Sequence, residues 1–163
     1  VFLAFGSNLG RRLSNLESAL AALASRGVEI RLRSSVYATE PVGGPPQGWY
    51  LNQVVGADTL LSPEALLEVC LGIEREFGRE RGVRSGPRTL DVDILFHGDE
   101  QRRSERLTLP HPRLHERLFV LVPLAEIAPA LVHPRLGATV SELLARCPDR
   151  SRVLLHAPAL ARK

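Results

Sequence analysis

Two aspartates, Asp91 and Asp93, alternate with apolar residues in the run Thr89-Leu90-Asp91-Val92-Asp93-Ile94-Leu95-Phe96. As a strand, this run puts Leu90, Val92, Ile94 and Phe96 on one face and both carboxylates on the other, roughly 6.6 Å apart along the chain. Aspartate is disfavoured in strands, and like charges side by side repel. A bound cation would remove that cost. Hard oxygen ligands without His or Cys suit Mg²⁺, and two such carboxylates can hold two ions about 3.5–4 Å apart. A bare Asp-x-Asp fits a solvated strand face with two incidental acids better, so the neighbouring residues decide.

Immediately upstream stand Arg75, Arg79, Arg81, Arg84 and Arg88, with only Glu76 and Glu80 between them. Five minus two gives this window +3, the formal net charge of the whole 163-residue chain. Guanidinium groups capture phosphate oxygens in bidentate fashion. Gly78, Gly82 and Gly86 give the segment freedom to close over a polyphosphate. A basic loop followed by paired strand aspartates assembles the parts of metal-assisted phosphoryl transfer. The alternative is an RNA-binding loop on a sheet platform, but such a surface has no use for the carboxylates. The strands also lack the paired exposed aromatics that an RNA-binding sheet uses.

A third group, Tyr50 and Asn52, lies beside a Gly/Pro-rich stretch at 41–48. Tyr50 can stack on a flat heterocycle, and Asn52 offers a donor and an acceptor to an amide-like ring edge. His111 and His115 are separated by Pro112 and lack a zinc-protease pattern. With Arg113 and Arg117 for company, His111 reads better as a phosphate or ribose contact. Gly6-Ser7-Asn8-Leu9-Gly10 precedes a helix without a following Gly-Lys-Ser/Thr, and reads as a loop and helix entry.

The elements that must hold these groups follow from periodicity. Residues 1–5 form a buried strand. Leu13, Leu16, Leu20 and Leu23 recur at helical spacing up to Gly27. Residues 28–38 and 50–58 are extended. Ser62 caps a helix with Pro63 at its first position, and Leu66, Cys70, Ile73 and Phe77 stripe it up to Gly78. The strand at 89–96 follows, then short extended pieces around 107–109, helices near 119–127 and 140–146, and a short strand at 153–155. The order predicts an α+β fold: a ferredoxin-like βαββαβ core with an antiparallel sheet, helices on one face and the other face open, plus a C-terminal helical extension. Residues 1–163 read as a single domain, with 157–163 as a disordered tail.

Composition excludes several alternatives. Of 21 basic residues 20 are arginine, and Lys163 is the only lysine, so P-loop and Schiff-base chemistries have no internal lysine to use. Cys70 and Cys147 are too few for a disulfide framework and read as buried thiols in a reducing cytosol. No apolar run approaches the roughly 20 residues of a membrane span, and no basic signal-peptide start is present. The chain holds no methionine, so Val1 reads as other than a native start.

The run Arg84-Ser85-Gly86-Pro87-Arg88-Thr89-Leu90-Asp91-Val92-Asp93-Ile94-Leu95 resembles the signature of the 6-hydroxymethyl-7,8-dihydropterin pyrophosphokinase family of folate biosynthesis. Phe5-Gly6-Ser7-Asn8-Leu9-Gly10, Thr39-Glu40-Pro41-Val42-Gly43, Tyr50-Leu51-Asn52, Leu109-Pro110-His111-Pro112 and Pro123-Leu124-Ala125-Glu126-Ile127-Ala128-Pro129 fall in the family's order and spacing. The resemblance runs to about residue 134. It implies transfer of the β,γ-pyrophosphoryl unit of MgATP to the hydroxymethyl oxygen of the reduced pterin, with release of AMP. It further implies that Asp91 and Asp93 bind two Mg²⁺ ions and that Arg79 and Arg88 stabilise the transferring phosphates. Arg81 and Arg84 would assist them. Glu74, Ile94, His111 and Arg117 would serve the nucleotide, and Thr39, Val42, Tyr50, Asn52 and Phe119 the pterin, its ring stacked between Tyr50 and Phe119. A cytoplasmic monomer is expected, without nucleic-acid or membrane partners. Ser85 stands where a well-known bacterial relative has tryptophan, and Pro112 where tyrosine is common.

Overall fold

A computed structural model describes residues 1–78 and 86–159. The chain runs β1 (Phe2–Ser7), α1 (Arg12–Ala24), β2 (Val28–Arg33), β3 (Val36–Thr39), β4 (Tyr50–Thr59), α2 (Pro63–Glu76) and β5 (Asp91–Phe96). A two-residue ladder of β6 (Arg102–Arg103) and β7 (Thr108–Leu109) follows, then α3 (Leu118–Ile127), α4 (Val140–Arg146) and β8 (Val153–Ala157). The main sheet is antiparallel in the order β5-β1-β4-β3-β8, with β2 also paired to β4. This is the expected α+β, ferredoxin-like core. Among the described residues no helix is long and apolar enough to cross a membrane.

One face of the sheet is sealed by α1 and α2. Leu16, Leu20 and Leu23 of α1 and Leu66, Cys70 and Ile73 of α2 pack with Leu3, Phe5, Leu51, Val55, Val92 and Ile94 of the strands. Fully burying one such leucine contributes about 1.5–3 kcal/mol, so this layer is the main source of stability. Ser62 starts α2 as expected, its side chain accepting from the Ala65 N–H at 3.2 Å ahead of Pro63. Leu13 departs from its stripe: it lies in the first turn of α1 and is exposed.

The extended run at 28–38 is two strands. Ser34 breaks it: its N–H donates to the Val54 carbonyl and its hydroxyl accepts from the Val54 N–H, both at 2.9 Å. A serine side chain thereby takes a rung that a backbone carbonyl would otherwise fill. The long strand β4 serves β3 at its start and β2 at its end.

The opposite face is only half open, which corrects the expectation that it is free. α3 and α4 cover one end of it, burying Val54, Leu95 and Phe96 against Val120, Leu121, Leu124, Val140 and Leu143. Phe96 joins this second core instead of sharing a face with Val92 and Ile94. The cause is a bulge: Leu3 pairs with Ile94 but Phe2 pairs with Phe96, so Leu95 is the extra residue. Helix α4 is held by a capping box between Thr139 and Glu142. At the C-terminus β8 extends the sheet through Ala157, and the Ala159 N–H donates to Ser35 Oγ at 3.0 Å. Of the expected tail, 160–163 lie outside the described residues.

Candidate active site

The uncovered half of that face is a polar patch on an apolar sheet. Strand pairing sets Asp93 beside Ala4, Asp91 beside Gly6, Gly6 beside Asn52, and Tyr50 beside Thr39. Beside the two carboxylates β1 thus presents only an alanine and a glycine, with Gly6 between Asp91 and the Asn52 amide, leaving room above them. The result is a cavity of about 260 Å³. Gly6 is needed for more than space: a Cβ there would meet Asn52 Oδ1 at 2.8 Å. Glycine inside a strand pattern signals such close approach, and the motif at 6–10 carried that signal unread.

Arg88, Asp91, Asp93, Thr39, Val42, Tyr50, Asn52, Phe119, His111 and Arg117 all line the cavity. Ile94 does not: its side chain packs in the helix-side core. Glu74 does not either. It is buried on α2, and its carboxylate accepts from the Val92 N–H at 2.8 Å, holding β5 from beneath, between the two aspartates. Arg79, Arg81 and Arg84, with Ser85, lie outside the described residues.

The electrostatics divide the site. Arg88 Nη1 lies 2.8 Å from Asp91 Oδ1. Asp93, 36% exposed at its side chain, has its pKa raised, first by enclosure and then by the negative charge of Asp91. Arg117 opposes that rise and lies 5.5 Å from the centre of the Phe119 ring. His111 is pushed down to about 4 by burial and then by Arg117, so it is neutral at ordinary pH. Its Nδ1 accepts from the Arg113 N–H at 3.2 Å, which leaves the proton on Nε2, facing Asp93 Oδ2 at 3.8 Å. At the other end Asn52 Nδ2 donates to Thr39 Oγ1 at 2.5 Å. The Tyr50 hydroxyl lies 3.2 Å from both Gln47 Oε1 and the Gly86 carbonyl, which share its single proton as acceptors.

Asn8, expected only as part of a loop and helix entry, is a structural hub of the site. It accepts from the Arg88 N–H at 2.7 Å, and its own N–H donates to the Arg88 carbonyl at 3.0 Å. Its amide donates to Gln47 Oε1 at 2.9 Å and the Gly48 carbonyl at 3.1 Å. Asn15 of α1 adds a bond to the Thr89 carbonyl at 3.2 Å. The entry to β5 is thus tied to the 41–48 loop by side chains far away in sequence. Only the asparagine in the Gly6-Ser7-Asn8 turn, a residue type that bonds loop backbone, hinted at it.

Among the described residues no cluster of three or more His, Cys, Asp and Glu side chains is arranged to hold a metal. Two carboxylates suffice where Mg²⁺ also takes substrate phosphates and water. Asp91 and Asp93, both opening into the cavity and one of them disfavoured as a bare anion, fit that donor set. The arrangement can hold a metal-bound polyanion at one end and a flat, hydrogen-bonding ring at the other.

The sequence model of the family described as 7,8-dihydro-6-hydroxymethylpterin-pyrophosphokinase matches residues 2–129. A Synechocystis protein named 2-amino-4-hydroxy-6-hydroxymethyldihydropteridine pyrophosphokinase is 47% identical over 156 residues, 95% of this chain and 79% of that one. A protein of the same name from Methylorubrum extorquens is 49% identical over 146 residues, 89% of this chain and 91% of its own. Among solved structures, the Plasmodium falciparum HPPK-DHPS triple mutant with pteroate superposes with a TM-score of 0.68 at 16% identity. That match covers 89% of this chain and 42% of the larger one, and the likeness is one of fold.

Proposed function

This chain belongs to the 7,8-dihydro-6-hydroxymethylpterin-pyrophosphokinase family and is an ATP-dependent pyrophosphokinase of folate biosynthesis, and we propose that its cavity is where the transfer takes place. The observation that carries the proposal is the sharing of one cavity by Asp91, Asp93 and Arg88 at one end and Thr39, Asn52, Tyr50 and Phe119 at the other. The pterin ring lies between Tyr50 and Phe119, beside Val42, with Asn52 and Thr39 reading its amide edge. His111 and Arg117 contact the nucleotide, with Arg88 on the phosphates to be transferred. Arg79, Arg81 and Arg84 join from the arginine-rich segment. Glu74 and Ile94 serve the nucleotide end from beneath, by fixing the strand that carries both aspartates.

Asp91 and Asp93 would hold two Mg²⁺ ions, which would supply neutralisation of phosphate charge. The substrate hydroxymethyl oxygen attacks the β-phosphorus of ATP, the bond from that phosphorus to the α-phosphate bridging oxygen breaks, and AMP leaves with that oxygen. The hydroxyl proton is lost to solvent. Positioning and charge stabilisation carry most of such a reaction, so the protein's task is to align the oxygen and pair the equatorial charges. Arg88 is prepared for this by Asp91 and Asn8. Neutral His111 offers a hydrogen bond without adding a competing charge.

Within this proposal residues 1–163 act as one catalytic domain, as a monomer in the cytoplasm. Incubation with MgATP and 6-hydroxymethyl-7,8-dihydropterin yields AMP and the pterin diphosphate; formation of ADP instead would sink this reading. The RNA-binding alternative has no support: the relatives are pyrophosphokinases, and two carboxylates occupy the open face.

A further inference from the structure

The family match ends at residue 129, yet the segment at 149–152 touches both walls of the cavity. Asp149 Oδ2 accepts from the Leu118 N–H at 2.9 Å. Leu118 is the first residue of α3, between Arg117 and Phe119, and no side chain of the Arg117 cap position satisfies it. A carboxylate at a helix N-terminus satisfies an orphan donor and complements the helix dipole. Here it arrives from 31 residues away. Burial pushes Asp149 up, but hydrogen bonds from Ser151, Leu118 and Arg150 outweigh it and hold the carboxyl below its ordinary value.

Three residues on, Arg152 grips the opposite wall. Its N–H donates to Glu40 Oε2 at 3.0 Å, its carbonyl accepts from the Glu40 N–H at 3.0 Å, and its guanidinium lies 3.3 Å from Glu40 Oε1. The same guanidinium sits 4.8 Å from the centre of the Trp49 ring. Glu40 and Trp49 are the two ends of the loop that carries Val42 and Gln47, and Glu40 itself lines the cavity. The ion pair alone is exposed and worth little. Its weight comes from company: the main-chain bonds continue the β3–β8 ladder, in which Thr39 pairs with Val153.

We propose that Asp149 and Arg152 are positioning residues that set the gap between the two pterin-facing walls, so the C-terminal segment governs pterin affinity without touching the pterin. This rests on the pterin pocket proposed above. One short segment, Asp149 to Arg152, spans from the Phe119 wall to the Glu40–Trp49 wall and is bonded to both, so shifting either grip widens or narrows the slot.

The test compares KM for pterin, KM for ATP and kcat in Asp149→Ala, Asp149→Asn, Arg152→Ala and Arg152→Lys, with Asn52→Ala as a pocket control. Arg152→Ala raises the pterin KM about threefold to fivefold and leaves the ATP KM within about twofold, the size expected for an exposed cation–π contact and ion pair. Asp149→Ala raises both KM values about fivefold, because Leu118 lies between Phe119 and Arg117. Asp149→Asn, which keeps an acceptor, recovers part of that loss. Arg152→Lys recovers less than half, since an ammonium lacks the planar stack. Trp49 is the only tryptophan, so its emission in the substrate-free enzyme shifts in both Arg152 variants and reports the grip directly. A role in stability alone would lower the active fraction, hence kcat, with both KM values unchanged, and that result overturns the proposal. So do unchanged KM values in Arg152→Ala and Asp149→Ala while Asn52→Ala weakens pterin binding. An unaltered pterin KM in Asn52→Ala instead overturns the pocket assignment itself.

Discussion

Strand β5 carries two opposed designs on one six-residue element. Val92 and Ile94 face α1 and α2 and are 6% and 4% exposed, packed among leucines. Asp91 and Asp93, one residue away in each case, face the cavity, where like charges and partial enclosure disfavour the folded state. The helix side is built for stability, and the cavity side spends some of that stability to keep charges facing the cavity. Its polar groups are held by specific bonds to Arg88, Thr39 and Asn8, not by packing. Substitutions on the two faces should therefore separate cleanly, function on one side and stability on the other.

The strongest way to break that comparison is Asp93→Ala. Removing a ligand expected to hold catalytic metal costs several kcal/mol of transition-state stabilisation, about 10³-fold or more in kcat. Far-ultraviolet circular dichroism should remain unchanged. Near-normal turnover by this variant would show that the open face is not the metal site.

The counterpart on the sealed face is Leu66→Ala. Leu66 is fully buried in the helix layer, and truncation there costs about 2–5 kcal/mol. Urea denaturation measures this as a lower midpoint with an unchanged slope. While the variant is folded, its KM values and kcat should match the parent. A changed pterin KM would mean that the two faces are coupled through the sheet.

Between these extremes lies Gly6→Ala, on the floor of the cavity. The new methyl would press on Asn52 Oδ1 at 2.8 Å, and Asn52 is pinned to Thr39. The amide must turn or the strands must part. The pterin KM should rise about tenfold, the loss of roughly one good hydrogen bond, with the ATP KM little changed. Equal losses for both substrates would place the disturbance in the fold instead.

The difference between the faces also explains what could be read from sequence. The alternation of β5 is local and charged, so both its strand character and the side that opens into the cavity were legible. Ser62-Pro63 and the stripe of α2 were legible for the same reason. The break at Ser34 depends on a hydrogen bond to Val54, and the change of face at Phe96 on a bulge against β1, which no local pattern encodes. The covering of the second face by α3 and α4 is likewise a tertiary outcome. At the candidate site, residue types pointed to Asp91, Asp93, Arg88, Tyr50 and Asn52, which the fold brings to one cavity. The roles of Gly6, Asn8 and Asp149 came only from what the fold brings beside them.

The smallest expected effect tests the cost of the open face directly. Asp93 has its pKa raised in the folded chain, so the native state binds its proton more tightly than the unfolded state does. The unfolded chain then releases that proton first as pH climbs, and the stability of the metal-free protein falls as pH rises above the ordinary value of 3.8. Asp93→Asn keeps the shape but cannot ionise. Its melting temperature without metal should lie slightly above the parent's at neutral pH, and the two should converge in acid. Adding Mg²⁺ and an ATP analogue should reverse the order, because binding to the native state stabilises only the chain that can hold the ions. A variant less stable than the parent at neutral pH without metal would mean that Asp93 is held by Arg117 and Arg88 as a structural ion, and that the two faces differ less than their composition suggests.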